Sequence, residues 1–279
     1  MTDIYPFVLV NGDIRPKGSL SFPFSDYGFI FGYGLFETLL ISNKKPLLFK
    51  EHFKRLQDSA ILLDIPSLFD IKTMENAIHD LISKNHVEEG ILNLYLTPGD
   101  RPVHTRKVEF EASFFLGVIR PVPFTGLYRN PLHIVVKEVS VQRIKMDRLK
   151  SMSFFKNIFE RRLYYHYDDV LLCNKKQNIL ETPSANVFFV QDDVLITPKS
   201  SYILPGIVRQ FIVTRQLQFG YSLLEKEVKC EDLDFFDEIF LTNSLGGVIL
   251  VESVENYPRL SSKSISMKIK NIFHKMVYL

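Results

Sequence analysis

Apolar and polar residues follow two different periods along the chain, and the changes of period mark strands and helices. The opening "YPFVLVNGDIRP" predicts two strands joined by an Asn-Gly turn. Over 49–65, apolar residues recur every three or four positions, which predicts an amphipathic helix that ends near Pro66. A second helix is predicted around 71–83, and the alternating "ILNLYLTPGD" predicts a strand with its leucines on one face.

The second half shows the same mixture of strands and helices. We predict a strand in "LHIVVKEVSVQRIKM", a helix over 151–166, a strand in "DDVLLC", a hairpin in "NVFFVQDDVLITP" and a helix closed by Gly220. The expected fold class is therefore α/β (α+β), in two unequal domains with mostly antiparallel neighbours. Proline and glycine content makes 121–130 the best candidate linker between an N-terminal domain (1–120) and a C-terminal domain (131–279).

Composition and charge exclude several classes of protein. The chain has 279 residues, of which 46% are hydrophobic, enough for two globular domains. Its 34 basic and 32 acidic residues are interspersed and give a net charge of +2, so we expect no nucleic-acid and no membrane partner. The two cysteines form no framework, and the amino terminus lacks the basic start of a signal peptide, which favours a cytoplasmic location.

Two lysines in "DRLKSMSFFKN" (147–157) are candidates for a nucleophilic amine. The predicted helix has an apolar stripe of Phe154, Phe155, Ile158, Phe159 and Leu163, and a polar side with Lys156, Asn157, Glu160 and Arg161. Lys156 is thus expected to be solvated. Lys150 precedes the helix, next to the candidate N-caps Ser151 and Ser153. The positive end of a helix dipole favours a neutral amine, although most loop lysines have no catalytic role.

Three further segments carry groups that could act together with an amine. Glu181 precedes a strand in "ETPSANVFF", and "ILPGIVRQF" is a Pro-Gly turn that opens into a helix, with free backbone N–H groups suited to a phosphate. "FLTNSLGG" ends a strand in hydroxyl and amide side chains, a second candidate anion-binding turn. An amine, a carboxylate and two such turns are the protein's part of a pyridoxal 5'-phosphate site.

Six segments, in order, resemble motifs of the class IV aminotransferase family, the fold-type IV pyridoxal-phosphate enzymes. They are "GYGLFET", "HFKRL", "RLKSMS", "ETPSANVF", "ILPGIVR" and "FLTNSLGGV". The resemblance implies that Lys150 is the residue that binds the cofactor covalently and acts in catalysis, and that Glu181 partners the pyridine nitrogen. The implied phosphate ligands are Arg55, the backbone at Ile207 and Val208, and the Ser244 hydroxyl. Periodicity alone predicts a surface position for Arg55, because it lies off the apolar stripe of its helix.

The resemblance also implies a substrate site and an assembly. The amides at Ser244 and Leu245 would face a substrate carboxylate, Phe36 would form a wall of the pocket, and the protein would be a homodimer. The chain length and the segment "LTNSLGGV" are most similar to those of aminodeoxychorismate lyases, which form 4-aminobenzoate and pyruvate for folate synthesis. The alternative within the family is a D-amino-acid or branched-chain aminotransferase. A non-catalytic cofactor-binding relative and a scaffold protein without cofactor are two further hypotheses.

Several residues differ from the family pattern. Pro98 stands where relatives often carry an arginine that could meet a carboxylate, and Arg101 or Arg106 could replace it from the same loop. The remaining differences are Ser153 for asparagine, Phe154 for tyrosine or arginine, and Tyr33 for aspartate. The seven histidines are scattered without metal-ligand spacing, so no metal site is expected. No dinucleotide fingerprint and no GxSxG motif occurs in the sequence.

Overall fold

The computed structural model of the chain describes residues 4–21, 24–66, 69–100, 110, 112–123, 131–257, 260 and 262–278. The backbone packs as two units, one of Met1–Gly126 with Leu149–Phe154, the other of Leu127–Arg148 with Phe155–Leu279. Each unit is built on its own sheet, which confirms the mixed α/β class. Most of the predicted linker, 124–130, lies outside the described residues, so the domain boundaries stay a prediction.

The first unit contains a six-stranded, fully antiparallel sheet in the order β2-β1-β6-β5-β3-β4. Its strands are β1 (Phe7–Val10), β2 (Asp13–Pro16), β3 (Leu35–Ser42), β4 (Lys45–Pro46), β5 (Gly90–Thr97) and β6 (Phe114–Arg120). Its α-helices are α1 (Tyr27–Phe31), α2 (Phe49–Leu62) and α3 (Ile71–Lys84), and a 3-10 turn spans Lys17–Ser19. The predicted hairpin is confirmed, with φ of 49° at Asn11 and 92° at Gly12, as its tight turn requires.

The two predicted helices of this unit are also confirmed. α3 begins after Asp70, whose side chain accepts hydrogen bonds from the backbone N–H groups of Lys72 and Thr73. α2 buries Phe53 and Leu56 against the sheet face that carries the three leucines of β5. This face and the two helices form the core of the first unit.

The second unit contains a seven-stranded mixed sheet in the order β11-β10-β9-β12-β13-β7-β8. Its strands are β7 (Leu132–Glu138), β8 (Asp169–Cys173), β9 (Asn186–Gln191), β10 (Val194–Pro198), β11 (Ser222–Lys226), β12 (Glu238–Asn243) and β13 (Gly247–Val254). Its α-helices are α4 (Phe155–Leu163), α5 (Ile207–Thr214), α6 (Gln216–Phe219) and α7 (Ser264–Val277), with 3-10 turns at Lys145–Arg148 and Cys230–Phe235. The β10–β11, β13–β7 and β7–β8 pairs are parallel, and the others are antiparallel.

Two predictions for this unit need correction. The helix predicted to run up to Gly220 is broken at Arg215 into α5 and α6, although Gly220 does cap it with φ of 75°. The predicted helix 151–166 begins only at Phe155, and its apolar side chains are exposed rather than buried. Its buried residue is Glu160, whose carboxylate accepts the backbone N–H groups of Ser140 and Val141 at 2.6 and 3.3 Å. Those hydrogen bonds turn the polar side of α4 inward.

Within the described residues, no helix combines the length and apolar character needed to cross a membrane.

Candidate active site

Lys150 lies in a short extended segment that pairs with the start of β3. The Phe36 N–H donates to the Lys150 carbonyl at 2.9 Å, and the Met152 N–H donates to the Gly34 carbonyl at 2.8 Å. This segment belongs to the first unit, although it falls within the range predicted for the second domain. Because α4 begins only at Phe155, Ser151 and Ser153 are not its N-caps, and the expected helix-dipole effect on Lys150 is wrong.

Aromatic rings surround the Lys150 amine. Its Nζ lies 4.4 Å from the ring centroid of Phe36 and 5.7 Å from that of Phe154. The two rings meet edge to face with centroids 5.5 Å apart. Lys150 is therefore half-buried against an apolar wall. Phe154 contributes neither a hydroxyl nor a charge to this wall.

Lys156 occupies a different environment. Its Nζ pairs with Asp147 at 3.1 Å and donates to the Gln142 carbonyl at 3.2 Å. The expectation of a freely solvated side chain is wrong, because these partners hold it half-buried. These partners orient the Lys156 amine toward Asp147 and the Gln142 carbonyl.

Glu181 is buried in the second unit with a set of donors directed at its carboxylate. The Leu204 N–H and the Asn186 amide donate to Oε2 at 3.1 and 2.9 Å. Arg143 Nη1 lies 3.5 Å from Oε1, and Arg143 Nη2 is buried with no hydrogen-bond partner among the described residues. Sequence reasoning missed both supporting residues. Asn186 was already visible within "ETPSANVF", whereas Arg143 carried no local signal.

The turn before α5 is fixed by the same asparagine. The Asn186 amide also donates to the Leu204 carbonyl at 2.9 Å. A Cβ at Gly206 would lie 1.9 Å from Asn186 Oδ1, so the turn requires glycine. Ile207 and Val208 form the buried first turn of α5, and no side chain caps that turn. Its backbone N–H groups and the helix dipole therefore suit an anion.

The turn between β12 and β13 is tied by one side chain. Asn243 Oδ1 accepts the Leu245 N–H at 3.1 Å and the Gly246 N–H at 2.8 Å. The Leu245 hydrogen bond competes with the predicted contact between this amide and a substrate carboxylate. Ser244 is half-buried at the same turn, and its predicted phosphate contact stays a prediction.

Arg55 belongs to a buried ionic network rather than to the surface. Its Nε and Nη2 donate to the two carboxylate oxygens of Glu37, both at 2.7 Å. His52 Nδ1 lies 2.6 Å from Glu37 Oε2. The side chains of Glu37 and His52 are 1% and 2% exposed, against 11% for Arg55. The surface position predicted from periodicity is wrong, because Glu37 on β3 supplies a counter-charge beneath α2.

The network fixes the charge state of its members. Burial alone would raise the pKa of Glu37, but Arg55 and His52 outweigh it and hold that pKa at about 2. Burial lowers the pKa of His52, and the nearby Lys150 adds to that effect. His52 is thus neutral and donates from Nδ1 to an ionised Glu37. Both residues lie within the quoted motifs, "GYGLFET" and "HFKRL", but their pairing was not predicted.

The predicted residues divide between the two units. The first unit holds Lys150, Phe36 and Arg55, and the second holds Glu181, Ile207, Val208, Ser244 and Leu245. The first unit thus supplies an amine beside aromatic rings and a guanidinium in a fixed orientation. The second supplies a buried carboxylate and an uncapped helix amino terminus.

Comparisons with known proteins give a consistent result. The family model for class IV amino-transferases matches residues 34–254. The D-alanine aminotransferase of Staphylococcus aureus is 24% identical over 284 residues, covering 97% of each chain. A solved Legionella pneumophila structure described as "Putative 4-amino-4-deoxychorismate lyase" is 26% identical, covers 92% of this chain and 96% of its own, and has a TM-score of 0.82. The Escherichia coli branched-chain amino acid aminotransferase is 20% identical, covers 96% and 92%, and has a TM-score of 0.85.

Proposed function

The chain belongs to the class IV aminotransferase family, and we propose that within it the protein is an aminodeoxychorismate lyase. The proposed reaction converts 4-amino-4-deoxychorismate to 4-aminobenzoate and pyruvate. Members of the family are pyridoxal 5'-phosphate enzymes. The observation that carries the lyase proposal is the aromatic wall beside Lys150, because the rings of Phe36 and Phe154 offer apolar contacts to a ring-shaped substrate. The likeness to the Legionella pneumophila structure supports the same proposal.

The residues of both units fit the cofactor. Lys150 would hold its aldehyde carbon, and the buried carboxylate of Glu181 would accept from its ring nitrogen. Arg55, the backbone N–H groups of the first turn of α5 and the Ser244 hydroxyl would bind its phosphate. When bound, the cofactor supplies an electron sink that stabilises a carbanion next to the substrate amine.

Lys150 is proposed to move the proton. Its amine removes the proton from the amine-bearing ring carbon of the substrate. The bond between the neighbouring ring carbon and the ether oxygen then breaks, and the enolpyruvyl group leaves as the ring becomes aromatic. The departing enolpyruvate takes up one proton and becomes pyruvate, so the reaction needs no oxidant and no second substrate. The apolar rings of Phe36 and Phe154 exclude water from this transfer.

A product assay tests the proposal. Purified holoenzyme is incubated with 4-amino-4-deoxychorismate and no 2-oxo acid, and 4-aminobenzoate is measured by chromatography with fluorescence detection. We expect product from the wild type and from Lys156→Ala, which serves as the matched control, and none from Lys150→Ala. Turnover only with an amino acid and a 2-oxo acid would refute the lyase.

An aminotransferase is the second candidate function. It is favoured by the Staphylococcus aureus D-alanine aminotransferase, which aligns with almost the whole chain. The alternative predicts 2-oxo acid formation from D-alanine or a branched-chain amino acid, with a second 2-oxo acid required to accept the amino group in each turnover. The two candidates share the cofactor and Lys150, so only the choice of substrate separates them.

A homodimer in the cytoplasm is part of the same proposal and rests on the family resemblance. Light scattering of the purified protein after size exclusion checks the assembly. The expected mass is twice the chain mass of 32.4 kDa, and a mass of a single chain would contradict it.

A further inference from the structure

Arg120 ends β6 on the same sheet face as Phe36. The antiparallel register aligns Phe36 with Tyr95, Thr38 with Asn93, and Ile91 with Arg120. Directly paired residues of neighbouring strands point to one face, and so do alternate residues along a strand. The Lys150 segment extends this face, because Leu35 pairs with Ser151 and the Phe36 N–H donates to the Lys150 carbonyl. Lys150, Phe36, Tyr95, Asn93 and Arg120 therefore share one surface of the first unit.

Two hydrogen bonds connect the Arg120 guanidinium to Asn93 and then to Thr38, which lies two residues from Phe36 on the same strand. Arg120 Nε donates to Asn93 Oδ1 at 3.0 Å, and the Asn93 amide donates to Thr38 Oγ1 at 2.9 Å. Asn93 is only 3% exposed, so it is a fixed anchor. Tyr95 is the next residue beyond Asn93 on the same face, and while burial raises the pKa of its phenol, the charge of Arg120 lowers it. Within the described part of the chain, the half-buried Arg120 forms no ion pair with a carboxylate.

Strand geometry sets the separation between this cation and the amine. Rows of residues on one face are about 6.8 Å apart along a strand, and neighbouring strands are about 4.8 Å apart. The Lys150 Nζ lies over Phe36, whereas the guanidinium is anchored one strand and one row away at Asn93. The sheet positions of Phe36 and Asn93, against which the two groups lie, are thus about 8 Å apart.

That separation suits a carboxylate on the far side of a ring. Bond lengths of about 1.4–1.5 Å place a carboxyl carbon roughly 6 Å from an amine nitrogen across a six-membered ring, but only about 2.5 Å away in an α-amino acid. A charge-assisted hydrogen bond of about 2.8 Å covers the remaining distance to the guanidinium when the carboxylate lies across the ring. It does not reach the carboxylate of an α-amino acid. We infer that Arg120, anchored by Asn93 and flanked by Tyr95, binds the ring carboxylate of a cyclic amino acid substrate. This inference deepens the proposed function and depends on it for the role of Lys150.

Ligand binding by the holoenzyme tests the inference without turnover. The dissociation constants of 4-aminobenzoate and of the uncharged 4-aminobenzamide are measured by titration calorimetry. We expect Arg120→Met to weaken 4-aminobenzoate binding roughly 10- to 100-fold, as the loss of a charge-assisted pair does, and to change 4-aminobenzamide binding less than about twofold. If the methionine variant folds poorly, Arg120→Gln replaces it, because glutamine keeps an amide donor for Asn93. It should likewise weaken the binding of 4-aminobenzoate but not that of 4-aminobenzamide.

Arg15→Met is the matched control, because Arg15 is an exposed arginine of the same unit that pairs with Asp13. It should leave both dissociation constants unchanged. Equal losses for both ligands, or an unchanged affinity for 4-aminobenzoate, would overturn the inference and reduce Arg120 to a structural partner of Asn93. A wild type that forms no 4-aminobenzoate from 4-amino-4-deoxychorismate would refute the proposed function instead, and the binding comparison would still report on Arg120.

Discussion

Replacement of Glu37 by glutamine perturbs a charged group of the first unit that is only 1% exposed. Glu37→Gln keeps the shape of the side chain but removes the negative charge that faces Arg55. It also leaves the neutral His52 ring opposite an amide instead of a carboxylate. In the variant the Arg55 guanidinium remains largely buried without its counter-charge. An unpaired buried charge strongly destabilises the folded protein.

Two independent routes give the size of the effect. Loss of one partner of a buried ion pair destabilises proteins by about 3–5 kcal/mol. The pKa of Glu37 is held at about 2 instead of 4.5, and a pKa difference of about 2.5 corresponds to roughly 3 kcal/mol of stability at neutral pH. Because the folded pKa is the lower one, this stability is complete above pH 4.5 and is lost as the pH falls through about 2.

Urea unfolding followed by circular dichroism measures the effect. At pH 7 the free energy of unfolding should fall by about 3–5 kcal/mol in Glu37→Gln. As the pH falls from 7 to 3, the difference in the free energy of unfolding between wild type and variant should decrease by roughly 2 kcal/mol. Glu88→Gln is the control, since its pair with Lys44 is solvent-exposed and should contribute less than about 1 kcal/mol. A loss below about 1 kcal/mol for Glu37→Gln, or a gap independent of pH, would refute the buried network.

Two further predictions concern the second unit. Gly206→Ala should lower the free energy of unfolding by about 1–3 kcal/mol and raise the dissociation constant of the cofactor, since a Cβ there meets Asn186 Oδ1 at 1.9 Å. Gly18→Ala, which has open space around it, should change neither quantity. Cys173 and Cys230 are both buried. A thiol reagent at pH 8 should therefore label neither cysteine until urea is added, and rapid labelling of the native protein would contradict their burial.

Local sequence patterns correctly predicted several of the strands, turns and helices. The Asn-Gly turn and the periodic helices α2 and α3 appear where the pattern placed them. The orientation of α4 could not be read in this way. Its apolar stripe is present, but the backbone N–H groups of Ser140 and Val141 require an acceptor, and Glu160 supplies it. Tertiary hydrogen bonding thus decided which side of α4 is buried.

The candidate site, too, could be predicted from the sequence only in part. Motif resemblance predicted Lys150, Glu181 and Arg55 as site residues, but it did not predict the residues that contact them. The contact of Arg55 with Glu37 depends on the packing of α2 on β3. The anchoring of Arg120 by Asn93 depends on the register of β5 and β6. Such contacts between distant segments have no local period and become visible only in the folded chain.

We propose that the Lys150 amine binds pyridoxal 5'-phosphate covalently. Borohydride reduction of the holoenzyme fixes such a bond, and proteolysis followed by mass spectrometry locates it. We expect a pyridoxyl label on the peptide that contains Lys150. A label on Lys156, or no labelled peptide in a protein saturated with the cofactor, would contradict it.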